Sequence, residues 1–313
     1  MSDPIAQITE LLEPVASFTK LVTAAGSWTV RREEVERPFY CAALDGSFHL
    51  AVPGREPVTI GEGDFLLLPL ARRFETFSLD RKPGDHRETI PVSAGPGAVR
   101  VGEQTGEPDV RQIVGYGEFG SENAALVAAL LPPILIVRGE PRLTALVRLI
   151  DGETRAQRPA RGEVMTHLLT VVLIEALRST GGSLPTPGLL NGLADSRLGS
   201  ALRAIHADPA RAWTVTLLAS EAGLSRTAFF TRFQRQVGMS PMRYLLHWRM
   251  LLARRLLGDH GAAEVAARTG YSSSSTFSTA FSKYTGRSPS AYLRSVRATD
   301  AAPAAGAGTE GLV

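Results

Sequence analysis

Two short stretches of this chain carry side chains suited to a polar, negatively charged surface. One holds Arg226, Thr227, Phe230, Thr231, Arg232 and Arg235, the other Ser274, Ser275, Ser278, Thr279 and Lys283. At about 100° per residue, Thr227, Thr231 and Arg235 share one face of a helix, with Arg226, Phe230 and Arg232 on its flanks. Ser275, Thr279 and Lys283 likewise share a face, with Ser274 and Ser278 beside it. Hydroxyl, guanidinium and ammonium groups donate to base edges and phosphate oxygens, whereas phosphate repels a carboxylate. No Asp or Glu occurs in either stretch. A solvated face normally mixes both charges, so these acid-free faces fit the major groove of duplex DNA.

The elements that must position these faces are duplicated. Phe229, Phe233, Gly238, Ser240, Pro241, Tyr244 and Leu245 recur as Phe277, Phe281, Gly286, Ser288, Pro289, Tyr292 and Leu293, at a constant offset of 48 residues. Upstream, Ala219 and Gly223 pair with Ala266 and Gly270 at an offset of 47, which puts one extra residue in the second turn. Each copy reads as helix, glycine-containing turn, helix. In the first, Val215, Leu218, Ala219 and Ala222 form one apolar stripe, and Phe229, Phe233 and Val237 form the next. The second copy is expected to bury Phe277, Phe281 and Tyr284. Ser240-Pro241 and Ser288-Pro289 are each an N-cap followed by proline at the first helical position. A helix over 241–257, stopped by Gly258, therefore joins the copies. Such a rigid connector would hold the two reading helices on one face of a duplex, about one turn or roughly 34 Å apart.

Charge is distributed to match. Of the 313 residues, the segment from Asp195 to Arg297 has 15 Lys or Arg against 5 Asp or Glu, a net of +10 within a chain whose formal net charge is +3. An acidic front on a basic back implies that only the back meets a polyanion. Cys41 is the single cysteine, so neither an internal disulfide nor a multi-cysteine zinc site is expected. Met1 to Glu10 lacks a basic region followed by an apolar run, and Val164 to Leu177, carrying His167 and Glu175, is too short to span a bilayer. The expectation is a soluble cytoplasmic protein without membrane attachment.

The predicted fold class is α+β in two domains, a small β-barrel or sandwich with flanking helices followed by an all-α double helix-turn-helix. Residues 1–178 form the first domain, 179–194 a Gly/Pro-rich linker, 195–297 the DNA-binding domain and 298–313 a disordered tail. In front of the linker, a short helix around Ile5 to Leu12 precedes predicted strands at Trp28–Arg32, Phe39–Leu44, Phe48–Val52, Val58–Ile60 and Phe65–Leu68, separated by Gly, Pro and Asp turns. Helices are expected over Asn123–Leu131, Arg142–Gly152 and Gly162–Arg178. The last is apolar around most of its circumference, as for a helix buried on two sides, against its own barrel and a second subunit, although a wholly internal helix reads the same way.

The duplicated region, from about Leu198 to Arg294, resembles the AraC/XylS family of transcription regulators in its turn glycines, its paired Phe-x3-Phe and the Gly-x-Ser-Pro-x2-Tyr-Leu that ends each copy. The front resembles the cupin-type sensor domain of one subgroup, through Phe48-His49-Leu50, Gly63-Asp64 with Leu68-Pro69, and Leu131-Pro132-Pro133. The resemblance implies base contacts from Arg226, Thr227, Phe230 and Thr231, and from Ser274, Ser275, Ser278 and Thr279. Phe230 either reaches thymine methyls or packs beside Phe229. Hydroxyls discriminate bases poorly, so the first copy is expected to read sequence and the second mostly to position. Arg232, Arg235, Arg243, Lys283 and Arg287 are candidate phosphate contacts. Arg249 reads as an internal ion pair, and Arg254 and Arg255 fit either role.

A cupin barrel can also be a metal enzyme, which needs two or three histidines and a carboxylate converging in the barrel, usually with a His-x-His pair. Only His49 and His86 fall in the front sheet region, and Phe74 stands where the subgroup often has histidine after its Leu-Pro motif. Neither a metal, a cofactor nor a catalytic residue is therefore assigned. A small-molecule effector in the barrel would meet inward residues drawn from Phe39, Cys41, His49, Phe65, Phe74 and Phe77, of which Phe39, His49, Phe65 and Phe74 are the candidate pocket. Their aromatic content points to an apolar or aromatic effector. The leading reading is an effector-responsive regulator binding promoter DNA, meeting RNA polymerase if it activates, and forming a homodimer if the apolar helix pairs. A metal-dependent cupin enzyme with a DNA-binding module is the alternative, separable by metal analysis. A DNA-repair fusion with a reactive cysteine is disfavoured, because Cys41 lacks any zinc cluster or nucleophile context.

Overall fold

The computed structural model of the chain describes residues 3–33, 37–82, 84, 87–119, 124–128, 130–156, 158–179 and 187–301. It falls into two units, Ile8–Thr186 and Met1–Gln7 with Pro187–Leu312.

Helix α1 (Pro4–Leu12) precedes β1 (Pro14–Ala25), β2 (Thr29–Arg32), β3 (Arg37–Asp45), β4 (Phe48–Ala51), β5 (Val58–Ile60), β6 (Phe65–Ala71), β7 (Phe74–Ser78), β8 (Val92–Ser93), β9 (Ala98–Gly102) and β10 (Val110–Phe119). Then come α2 (Ala124–Ala128), β11 (Leu135–Val137), α3 (Pro141–Ala156) and α4 (Arg161–Ser179). Seven strands form one sheet in the order β11-β6-β3-β10-β1-β9-β8, and four form another in the order β2-β7-β4-β5. The pairings are antiparallel apart from β1 with β9.

Strand parity explains the packing. Val22 and Ala24 of β1, Phe39, Cys41 and Ala43 of β3, and Leu66 and Leu68 of β6 meet Phe48 and Leu50 of β4, Ile60 of β5 and Phe74 of β7 in one core between the sheets. The alternate residues of β3 and β6, among them Tyr40, Ala42, Phe65 and Leu67, are buried too, and α4 packs on β1 and β11 of that sheet. Those strands therefore read as continuous apolar runs. In β4 burial alternates, because one face meets the core and the other meets water. Cys41 is fully buried, and its thiol donates to Gln112 Oε1 at 3.0 Å. Burial pushes that thiol well above its usual range, so it packs as the expected small hydrophobe.

The second unit is helical: α5 (Leu189–Ala194), α6 (Leu198–Ala207), α7 (Val215–Glu221), α8 (Arg226–Val237), α9 (Pro241–Leu256), α10 (Ala262–Arg268), α11 (Ser274–Thr285) and α12 (Pro289–Ala301). Two expectations need correction. The segment 179–194 is not linker throughout, since Leu189–Ala194 is helix α5, with Leu189 and Leu190 buried. Gly192, counted among the linker glycines, lies within α5 and serves close packing. A Cβ there would lie 2.7 Å from both Leu202 Cδ1 and Val237 Cγ2. Residues 180–186 of that segment lie outside the described residues. The tail expected to be disordered from residue 298 is still helical to Ala301, as alanine favours, and its remainder also lies outside the described residues. No helix among the described residues is long and apolar enough to cross a membrane.

Candidate nucleic-acid interface

The duplication persists in three dimensions. In the first copy Thr214 caps α7 and Ser225 caps α8, its hydroxyl accepting from the Ala228 N–H at 3.3 Å. In the second, Ser273 caps α11 by accepting from the Thr276 N–H at 3.1 Å. Gly238 and Gly286 end α8 and α11 in the left-handed conformation, with φ of 84° and 76°. The turn between α7 and α8 spans 222–225 and that between α10 and α11 spans 269–273, which accounts for the change of offset from 48 to 47.

Equivalent aromatic triads hold α8 and α11. Phe233 lies 5.5 Å from Phe229 and 5.8 Å from Tyr244, and Phe281 lies 5.5 Å from Phe277 and 5.7 Å from Tyr292. All four phenylalanines are fully buried. Helix α9 serves both cores, through Tyr244 in the first and Met250 and Ala253 in the second. The helix expected between the two copies is thus present, over 241–256. Tyr284, expected in the core, is only half-buried, because its hydroxyl turns to His247 Nδ1.

The opposite faces are open. Arg226, Thr227, Phe230, Thr231 and Arg235 of α8 are exposed, as are Ser274, Ser275, Thr279 and Lys283 of α11, while Ser278 is half-buried. Phe230 keeps 39% of its surface in water, although its neighbour Phe229 keeps none. The ring thus projects from the helix instead of joining the core. Arg243 and Arg287 are also exposed.

Arg232 departs from its expected role. Its Nε donates to Asp195 Oδ2 at 2.7 Å, and that carboxylate also caps α6 by accepting from the Arg197 and Leu198 N–H groups. Burial pushes the Asp195 carboxyl up, but the Arg232 and backbone hydrogen bonds outweigh it and hold the group below its usual range. The pair ties α8 to the start of α6, so the positive charge of Arg232 is matched locally. Arg232→Gln should therefore cost roughly 1–2 kcal/mol of stability, discounted for the half-open arginine, and leave the salt dependence of DNA binding unchanged. Arg235→Ala should leave stability nearly unchanged and flatten the salt dependence by about one charge unit. Equal salt slopes for the two variants would undo this assignment. Arg249 is internal as expected, but its partners are the carbonyls of Pro209 (2.8 Å) and Arg211 (2.9 Å) rather than a carboxylate. It locks the loop before α7 onto α9.

Sequence reasoning missed His206, which is buried and joins α6 to α9. Its Nε2 lies 2.6 Å from the Tyr244 hydroxyl and its Nδ1 2.7 Å from Gln7 Oε1, Gln7 belonging to the same unit. The Gln7 amide N–H donates to the His206 carbonyl, which turns Oε1 toward the ring. Nδ1 therefore carries the proton and Nε2 accepts from Tyr244. A lone histidine in an apolar helix stripe offers no periodic signal.

The candidate effector residues separate. Phe39 and Phe74 face the interior with ring centroids 4.6 Å apart. His49 and Phe65 do not, because parity with core residues Phe48 and Leu50, and with Leu66 and Leu68, turns them to the outer faces. His49 bonds Thr59 through Nδ1 at 3.2 Å and lies 5.1 Å from Phe77. Among the described residues no three His, Cys, Asp or Glu side chains converge, and His86 lies outside those residues.

Residues 3–180 match a cupin family and residues 218–295 a helix-turn-helix domain family. An AraC-like transcription regulator of Streptomyces lividans is 33% identical over 305 residues, covering 93% of this chain and 98% of the relative. This chain belongs to the AraC family. A second AraC-like regulator, from Streptomyces antibioticus, is 35% identical over 302 residues, covering 93% of this chain and 98% of the relative. The regulator AlkR of Acinetobacter baylyi is 37% identical over 143 residues, or 45% of this chain and 47% of AlkR. The AraC-type unit described above is thus the DNA-binding part of a transcription regulator, as the relatives are named.

Proposed function

We propose that α8 reads promoter sequence, that α11 mainly positions the protein on the duplex, and that occupancy of the barrel by a small molecule sets the activity of the DNA-binding unit. The observation that carries this reading is the pair of acid-free helix faces presented by two aromatic-cored repeats on one connector helix. Arg226 and Thr231 supply directional donors, and the exposed Phe230 ring suits a thymine methyl. Ser274, Ser275, Ser278 and Thr279 can each donate or accept, so they discriminate bases only weakly. Arg235, Arg243, Lys283 and Arg287 neutralise phosphates. Acting on promoters places the protein in the cytoplasm as a binding protein without catalysis of its own, meeting RNA polymerase where it activates.

Arg226→Ala should lose about 1–3 kcal/mol of specific binding and broaden base preference at one position. Changing Ser274 and Ser278 together to alanine should weaken all sequences alike. Binding of wild-type and variant protein to a matched set of single-base-changed duplexes, measured by fluorescence anisotropy, tests this. A broader preference for the serine variant than for Arg226→Ala would reverse the roles of the two helices.

Homodimerisation belongs to the same proposal. Helix α4 buries Met165, Leu169, Val172 and Leu173, yet leaves Val164 and Val171, two turns apart, 39% and 41% exposed. This second apolar edge suits a copy of the same helix. A monomer in sedimentation equilibrium at micromolar concentration would remove the dimer from the account.

A further inference from the structure

One end of the four-stranded sheet holds a cavity of about 480 Å³, within the roughly 300–1,000 Å³ of small-molecule sites. Its wall is unusual in carrying four arginines, Arg31, Arg32, Arg55 and Arg73, around the ring of Phe74. Two carboxylates share the wall and both are engaged. Glu33 pairs with Arg73 at 3.0 Å, and Glu75 lies between Arg31 at 3.3 Å and Arg81 at 3.1 Å. Among the described residues neither Arg32 nor Arg55 has a carboxylate within salt-bridge distance.

Parity separates Arg31 from Arg32. Arg31 is paired across the strands with Glu75 on the outer face, whereas Arg32 is paired with Phe74, which belongs to the core. Arg32 therefore points inward at the mouth of the barrel. One of its five N–H donors goes to the Arg31 carbonyl at 2.8 Å and another to the Tyr116 hydroxyl. Phe39 stands behind, 4.6 Å from Phe74 and 5.3 Å from Tyr116. Lys20 shares the parity of core residues Val22 and Ala24, so a second cation faces the same end. Burial, and then the nearby Arg32 charge, lower its ammonium below the usual range. Arg32 and Arg55 bring two guanidinium groups to a wall that also holds Phe74, an arrangement that an anion would complete.

We infer that the barrel mouth binds a small organic anion, its carboxylate or phosphate on Arg32 with Arg55 and its apolar body against Phe74. The inference deepens the effector reading above and narrows an apolar or aromatic ligand to an anionic one. Titration calorimetry on the full chain tests it, with benzoate, octanoate and phenyl phosphate as anionic probes and benzamide as the uncharged control. At least one anion should bind, with benzamide at least about ten-fold weaker. Arg32→Met should weaken the anion about ten-fold or more, Arg32→Lys should recover part of the loss, and Arg111→Met, which lies outside the cavity wall and pairs with Asp45, should stay within about two-fold of wild type. Benzoate against phenyl phosphate separates carboxylate from phosphate recognition. Benzamide binding as tightly as benzoate, Arg32→Met binding as wild type, or no anion binding at about 10 mM would each overturn the inference. The calorimetry contains no DNA, so a failure here leaves the DNA-reading assignment untouched, and DNA binding by the same preparation reveals the separate failure of that assignment.

Discussion

Replacing Phe233 with alanine lowers the melting temperature of the helical unit by more than about 10 °C and abolishes DNA binding at physiological temperature. The side chain is fully buried between Phe229 at 5.5 Å and Tyr244 at 5.8 Å. Removing it leaves a cavity in a core that cannot close, because α8 is held at both ends by the Ser225 cap and the Gly238 turn. Such truncations cost about 3–5 kcal/mol, and each kcal/mol moves the transition of a domain this small by about 4–8 °C. Phe281→Ala, the equivalent change in the second core, should do the same, because α9 belongs to both cores and transmits the loss. Phe230→Ala, three residues from Phe233, should change stability by less than about 0.5 kcal/mol while weakening DNA binding. Thermal unfolding followed by circular dichroism, beside anisotropy on a bound duplex, separates the two classes. A Phe233→Ala protein that melts with the wild type would mean that the triad is not the core of the repeat.

The second large effect is acid sensitivity centred on His206. Burial pushes its imidazole down to about 3, against an ordinary value near 6.5. The folded state thus keeps the ring neutral over a range where the unfolded chain takes up a proton. Its contribution to stability is fully present above pH 6.5 and is lost as pH falls from there toward 3. The slope is about 1.4 kcal/mol per pH unit. Between pH 6.5 and 4.5, where most carboxylates stay ionised, the helical unit should lose about 2–3 kcal/mol from this one group. His206→Gln lowers stability at pH 7 by breaking the Tyr244 bond, but its stability should vary far less across that window. Urea unfolding at several pH values gives both numbers. A His206→Gln protein with an unchanged pH slope would place the acid sensitivity elsewhere.

Periodicity and turn chemistry made the helical unit legible before any coordinates. Phe-x3-Phe marked the buried stripes, serine and glycine marked the caps, and the one-residue change in offset foretold the longer second turn. The acid-free stretches of the sequence coincide with the exposed faces of α8 and α11, which the proposal above assigns to DNA. Two kinds of residue escaped. Those whose role depends on a distant partner carried no local signal, as with Arg232, committed to Asp195, and His206, committed to Tyr244 and Gln7. Residues that break a local rule hid their element. Strand β1 (Pro14–Ala25) was not foreseen, since it opens with proline, is rich in alanine and places Lys20 on an inner face where an apolar residue is expected. A charge on the inner face obscures a strand and also marks a place where something other than packing is at work. The register of β4 and β6 could not be read either, because Phe48, His49 and Leu50, or Phe65 to Leu68, are apolar or aromatic on both faces. The misplacement of His49 and Phe65 follows from that ambiguity.

Helices α8 and α11, joined by one connector, are proposed to meet successive turns of one DNA site, α8 with the stronger base preference. Selection of bound duplexes from a random pool by the full chain tests this most directly. Two enriched elements with centres about 10 base pairs apart are expected, a strong one that an Arg226→Ala selection loses and a weaker one set by α11. A single element, or no enrichment at low salt, would mean that the two helices do not share one site.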